Sequence, residues 1–242
     1  IPYWGARGNL KMEYIPKKGL FSKEDTKLIS LKPLPIDSSE YEKEIFNGLF
    51  GDFHKTDTIE VLVSSLENSF YTTMQDAKKI LKDKAQIYYA EVAKKMQTKV
   101  IVGILIFGVL LFFLFLNFWG FWAAITIIPI VIFLLIMSIY MVKKNAKGNA
   151  ILSELKGFKQ FIKVAEEHKL KMLLKEDPTY FESTMSYALT FGLFHKWAKK
   201  FEALDLQPPS WYSSSAGVLN MHNFSNSFTN SIASTKTTMV SA

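Results

Sequence analysis

Three regimes of hydrophobic and polar positions follow one another along the chain. The middle one is the plainest: two apolar runs, Val100 to Phe118 and Phe121 to Val142, stand almost back to back across Asn117–Gly120, and neither contains a charged residue. A helix rises about 1.5 Å per residue and a bilayer's hydrocarbon core is roughly 30 Å thick, so about 20 apolar residues suffice to cross it. The pattern predicts a transmembrane helical hairpin with spans at 100–118 and 121–142 and a tip too short for an external domain.

Upstream, Leu10, Met12 and Tyr14 alternate with Lys11, Glu13 and Ile15, Pro16 to Gly19 breaks the run, and Leu28 to Leu31 is a second short apolar stretch. This reads as a β-hairpin with a long loop. Ser39 with Glu42 makes a capping-box signal for a helix carrying Tyr41, Ile45, Phe46 and Leu49 and ended by Gly51. Ser64 with Glu67 repeats the signal before a longer helix, with Leu66, Phe70, Ala77, Ile80 and Leu81 on one face, expected to run with interruptions through Tyr88 and Tyr89 to the membrane. Residues 1–99 are thus a small α+β module, and a hairpin before helices admits a winged-helix form.

Downstream, Ile151, Leu155, Phe158, Ile162 and Ala165 recur at spacings of four and three, which predicts an amphipathic helix. Asp177 before Pro178 opens a second helix through Tyr180, Phe181, Met185, Ala188 and Leu189. Gly192 punctuates it, and Trp197, Phe201 and Leu204 mark a third. Residues 143–212 are read as a small helical module, whose aromatic residues need the burial that helix packing provides. The segment 213–242 is rich in Ser, Thr and Asn without a period, a low-complexity tail. Its default is disorder, although the spaced Phe224, Phe228 and Ile232 suit docking as a short helix or strand wherever a surface is offered.

Charge orients the hairpin. Lys94, Lys95 and Lys99 precede the first span and Lys143, Lys144 and Lys147 follow the second, so both flanks are expected in the cytoplasm. Trp119 and Trp122 at the tip fit interfacial anchoring in preference to a ligand-binding lip. The net charge of +7 comes from 29 basic and 22 acidic residues. Residues 1–99 hold 16 basic and 14 acidic side chains, and residues 143–205 hold 12 and 8, so the excess is mostly juxtamembrane. Attraction to anionic lipid, about 1 kcal/mol per nearby Lys or Arg, explains that placement better than nucleic acid, whose footprint should be a basic stripe with groove-reading polar groups.

Candidate chemistry is sparse. With no cysteine, thiolate zinc sites, iron–sulfur clusters and cysteine nucleophiles are excluded. The histidines His54, His168, His195 and His222 are isolated from one another, and His168 beside Glu166 and Glu167 reads as a charged helix surface, because a metal site needs several converging ligands. No phosphate-cradling glycine motif and no nucleophile elbow is present. Inside the spans the polar side chains reduce to Thr126 and Ser138, with Asn117 at the edge, whereas transport paths usually carry ionisable groups. Gly103 and Gly108 miss the four-residue spacing of close helix pairs, and Pro129 is expected to bend the second span.

The segment behind the membrane carries a resemblance. Gly157–Phe161, Ala165 and Glu166, then Glu176, Asp177, Pro178, Phe181 and Glu182, then Tyr187, Ala188, Leu189, Gly192, Trp197, Ala198 and Phe201, and finally Pro209, Ser210, Trp211 and Tyr212, closely resemble the YciQ-like family of uncharacterised predicted bacterial membrane proteins. Ala6–Gly8, Leu10–Met12, Tyr41, Glu42, Ile45, Leu49 and Phe50 are similar to its preceding part, so the likeness covers most of residues 4 to 212. Met185–Ala188 stands where the family has an LPYA-type segment, without its proline, and the family's Gly-rich end is not seen. The resemblance implies a bacterial inner-membrane setting, with a secretion signal, an external β-rich domain and an earlier span upstream of Ile1. It supplies no catalytic or ligand residues.

The expected whole is a mainly α membrane protein, its hairpin set between two cytoplasmic modules, with the bilayer and an unidentified protein, or a second copy of itself, as partners. Trp197, Phe201, Trp211 and Tyr212 are the residues to examine as an interaction or packing signature. The expected function is a non-enzymatic scaffold, partner-binding or signal-relay protein of the cell envelope, without a cofactor. The alternatives are a subunit of an oligomeric transporter or channel and a membrane-tethered DNA-binding module.

Overall fold

The computed structural model describes residues 1–17, 24–51, 58–140, 144–215, 217 and 220–241, with the backbone alone at 91–94. The chain forms two compact units, one from Ile1–Leu81 together with Lys156–Ala242 and the other from Lys82–Leu155. The first joins parts that lie on opposite sides of the apolar runs in sequence. In place of two separate modules, residues from both share one hydrophobic core that includes Leu10, Phe46, Ile162, Trp197 and Phe228.

In this unit the hairpin forms as the alternation predicts. β1 (Leu10–Ile15) pairs antiparallel with β2 (Asp25–Ser30), Leu10 opposite Ser30 and Met12 opposite Leu28. It is not a free wing. β3 (Ile59–Leu62) flanks β2 antiparallel and β4 (Tyr212–Ser214) flanks β1 in parallel, giving a four-stranded sheet in the order β3-β2-β1-β4. Because side chains alternate across a strand, Leu10, Met12, Leu28 and Tyr212 share one face, which is buried. A winged-helix hairpin reaches DNA with its exposed wing. Here both edges of the hairpin pair with other strands.

The helices of the unit begin with α1 (Pro2–Ala6) and α2 (Glu40–Phe50). The capping box of α2 is formed as the sequence predicts, Ser39 with Glu42, and Gly51 ends the helix at φ +71°. The second predicted box does not form. Ser64 instead donates its hydroxyl to Asp25 Oδ2 at 2.6 Å, and Val63–Leu66 is a 3-10 turn. Asn68 at φ +61° separates that turn from α3 (Tyr71–Lys84). Behind the apolar runs stand α7 (Ala146–Val164), whose residues up to Leu155 belong to the other unit, α8 (Glu167–Glu176), α9 (Tyr180–Thr190) and α10 (Phe194–Glu202); α4 to α6 belong to the other unit and follow below. α8 has no counterpart in the sequence reading, since Leu170 alone among its residues is fully buried. Asp177 makes a turn, accepting from Thr179 N at 2.8 Å, and α9 begins three residues later. Gly192, at φ +70°, ends α9 in a Schellman arrangement with Gly192 N to Leu189 O and Leu193 N to Ala188 O.

The tail is ordered. Asn220 accepts from Asn223 N and caps α11 (Met221–Val240), which buries Met221, Phe224, Phe228, Ser231, Thr235 and Met239. α11 packs on α10 and against β1 and β2. Phe224 and Phe228 lie 5.0 and 5.5 Å from the Tyr212 ring, and Phe194 lies 5.1 Å from Phe228. The hydroxyls that make this segment look like a linker return to the helix's own carbonyls, Thr235 to Ser231 O and Thr229 to Ser225 O, both at 2.7 Å. A helix of Ser and Thr is therefore stable here because a ready aromatic face supplies the burial.

The second unit holds α4 (Glu91–Trp119), α5 (Phe121–Ile125) and α6 (Ile127–Ile139). Lys95–Trp119 and Phe121–Ile139 are long and apolar enough to cross a membrane. Gly120, at φ +79°, makes the tip, a conformation that costs glycine least. Between α5 and α6 the helix is interrupted at Thr126. Pro129 is the cause: it lacks the N–H that would reach Ile125 O, and its ring crowds that carbonyl. Val142 lies outside the described residues.

Candidate functional site

The aromatic signature lies inside the first unit. Trp197 and Phe201 are fully buried on α10, their rings 5.0 Å apart, and Trp211 and Tyr212 are buried at the start of β4. Each indole finds the partner that a buried N–H requires: Trp197 Nε1 donates to Thr184 Oγ1 at 3.0 Å and Trp211 Nε1 to Glu182 Oε2 at 2.8 Å. Gly5 is the floor under Trp211, since a Cβ there would stand 2.4 Å from the indole. The Tyr212 hydroxyl faces Ser227 and Ser231 without making a hydrogen bond, and burial pushes its pKa up. None of the four offers an exposed face to a partner.

The polar groups of the second unit gather at the base of the hairpin. Gln97, early in α4, donates to Ser138 O at 2.9 Å and thereby meets a terminal carbonyl of α6. Below it, Ala85–Tyr88 is a 3-10 turn, and Tyr89 bridges to Lys144. Asn145 organises the contact between these segments. Its side-chain amide donates to Ile87 O at 2.7 Å, its backbone N–H donates to Tyr88 O at 3.1 Å, and its Oδ1 accepts from Gly148 N at 2.9 Å, capping α7. A Cβ at Gly148 would stand 2.2 Å from Tyr88 O, so only glycine lets the backbones approach so closely. Lys144 stands over the Tyr89 ring at 5.7 Å and Lys147 over Tyr88 at 5.6 Å.

With this geometry in view, one comparison places the chain: residues 5–201 match the family described as predicted membrane protein (DUF2207) C-terminal domain. The chain belongs to that family. The membership agrees with the uncharacterised membrane protein family suggested by the residue blocks. No curated protein and no solved structure matches. The DUF2207 match takes in both apolar helices and most of α10 and stops short of Trp211, Tyr212 and α11. The helix that closes the sheet thus lies beyond the matched residues.

Of the predicted anchoring residues, Trp119 and Trp122 are exposed at the tip, as are Lys95 and Lys99 near the other end of α4. Lys144 belongs to the base described above; Lys143 and the side chain of Lys94 lie outside the described residues. The sequence reading places Tyr88 and Tyr89 only on the helical approach to the membrane and names neither Gln97 nor Asn145. An Asn one residue before a helix and a Tyr pair just outside a span were the available signals.

Catalytic geometry finds few candidates. A cleft of about 700 Å³ in the first unit is lined by Tyr3, Tyr41, Met74, Ser186, Tyr187 and Met239 among others, and Glu42 is the charged side chain in its wall. His195 Nδ1 lies 3.2 Å from Ser225 Oγ, but Ser225 is buried in α11. His222 lies 3.6 Å from Glu202 on the surface. Among the described residues no three His, Asp or Glu side chains converge as metal ligands; His54 is outside them. The Lys200 ammonium donates to Ala165 O, just past the end of α7, and desolvation first, then Lys196, lowers its pKa.

Proposed function

We propose that this DUF2207-family chain is a membrane-anchored, non-enzymatic protein of the bacterial cell envelope that binds a protein partner as a scaffold or relay, with both soluble segments on the cytoplasmic side of the inner membrane. The observation that carries the reading is the hairpin itself: two spans free of charge between residues 100 and 142, lysines at both outer ends and none at the tip. Family membership supports the membrane setting. The shared core of residues 1–81 and 156–242 supports a single partner-binding body. A solute path is less well supported, because the spans contain no Asp, Glu, Lys, Arg or His.

Absence of cysteine makes the test direct. Single cysteines introduced at Ile36 and at Trp122 are probed in intact cells with a membrane-impermeant maleimide. Labelling at position 122 and protection at 36 is expected, and the reverse pattern overturns the topology. Affinity capture of the full-length tagged protein from native membranes then addresses the partner, and a reproducible failure to recover one removes the scaffold role.

A further inference from the structure

Between Ile87 and Ser153 the chain carries six lysines and one acidic residue, Glu91, and two of those lysines are held in place by the fold. Lys144 and Lys147 lie over Tyr89 and Tyr88, and the Asn145 contacts lock the two segments that present them. A lysine drawn onto an aromatic face keeps its ammonium donors available to an anion, and tyrosine rings suit the headgroup level of a bilayer. Lys144 stands two positions beyond the apolar run that ends at Val142, and the Tyr89–Lys144 bridge holds the tyrosines beside it, so the cluster sits where a hairpin that spans the membrane places its headgroup-level residues.

We propose that the base of the hairpin is a binding site for the headgroup phosphate of an anionic glycerophospholipid, with Lys144 and Lys147 as the cationic contacts, Tyr88 and Tyr89 as the aromatic shelf and Asn145 as the positioning residue. The proposal rests on the membrane-anchored reading above and adds to it a defined lipid class and a defined site. Diffuse attraction would depend on the number of lysines alone. A built site depends also on the Asn145 side chain, which carries no charge, and this difference decides between them.

The test uses the full chain in nanodiscs of equimolar phosphatidylcholine and phosphatidylglycerol, with lipid retained after gentle release counted by native mass spectrometry. The wild type is expected to retain phosphatidylglycerol selectively, and added inorganic phosphate is expected not to displace it. K144Q/K147Q should lower that selectivity by about fivefold per lysine, whereas the charge-matched pair K78Q/K79Q in α3 should leave it unchanged. Asn145→Ala, which keeps every lysine, should lower it as well. Equal retention of the two lipids by the wild type, an equal loss in K78Q/K79Q, or an unchanged Asn145→Ala variant each overturns the proposal, and displacement by inorganic phosphate assigns the site to a soluble anion. Alkaline carbonate extraction separates the two levels: a wild type washed from membranes defeats the anchored reading, while one that stays inserted without lipid preference defeats only this site.

Discussion

Thr184 shows how one hydroxyl can hold a large aromatic residue. It accepts from the Trp197 indole at 3.0 Å and donates to Tyr180 O at 2.6 Å, one turn back in α9. Thr184→Val keeps the shape and removes the acceptor, leaving the indole N–H buried and unpaired. Such a loss costs about 1–3 kcal/mol. Denaturant unfolding followed by tryptophan fluorescence should show a lowered midpoint, and an unchanged midpoint would mean that the indole has found another partner. At the loop end of the β1–β2 hairpin a second residue carries a pH signal. Burial foremost, then the 2.6 Å hydrogen bond Tyr14 donates to Glu24 and that carboxylate's charge, push its phenol up to about 12 from its ordinary 10.0. Since the folded value is the higher, this contribution to stability is complete below pH 10 and is lost as pH rises through about 12. A phenolate absorbance titration of wild type minus Tyr14→Phe should isolate a late-titrating group in that window. A difference curve centred near 10 would remove the prediction.

At the scale of elements, the two glycines of α4 behave differently although they look alike in sequence. A Cβ at Gly108 would stand 2.6 Å from Val131 Cγ2 in α6, whereas at Gly103 it would meet nothing within 4 Å. Gly108 is therefore a position where α4 and α6 approach closely. Gly108→Leu should pry the hairpin apart at a cost of about 1–3 kcal/mol, the usual range for overpacking, while Gly103→Leu should be tolerated. Cross-linking of a Leu105→Cys/Ile132→Cys pair in membranes, two positions lining the same groove beside Gly108, reports the spacing: the yield should fall with the first substitution and not with the second. α11 carries the complementary lesson. Its buried face includes Ser225, Ser231 and Thr235, so no apolar stripe announces it. Phe224, Phe228 and Ile232 hint at a face, and the two rings acquire meaning only once Tyr212 and Phe194 are positioned to receive them.

For the whole molecule, the apolar hairpin interrupts a single compact unit in sequence. Ile1–Leu81 supplies three strands of the sheet, and Lys156–Ala242 supplies the fourth strand and α11, which packs against β1 and β2. Neither part has a closed core alone. Expressed separately, residues 1–99 and 143–242 should each be poorly folded, and expressed together they should co-purify as a complex with the far-ultraviolet dichroism of a mostly helical protein. Independent folding of either fragment, judged by dispersed NMR spectra, would count against the shared core.

Much of this protein was legible in its sequence for a physical reason: the signals were local. Two uncharged runs, a Ser–Glu capping box at the start of α2, an alternation in β1 and a glycine past the end of α9 each depend on neighbours within a few residues. Failures came where a distant partner decided. Ser64 satisfies Asp25 instead of capping a helix, β4 joins the sheet beside a strand some two hundred residues earlier, and the Ser/Thr-rich tail becomes a helix because an aromatic face awaits it. The base of the hairpin belongs with these. Sequence alone determined that this chain carries two spans flanked by lysines and that its family is one of membrane proteins. Only the tertiary structure brought Tyr88 and Tyr89 against Asn145, Lys144 and Lys147, because that cluster is assembled by backbone hydrogen bonds between segments separated by the whole hairpin.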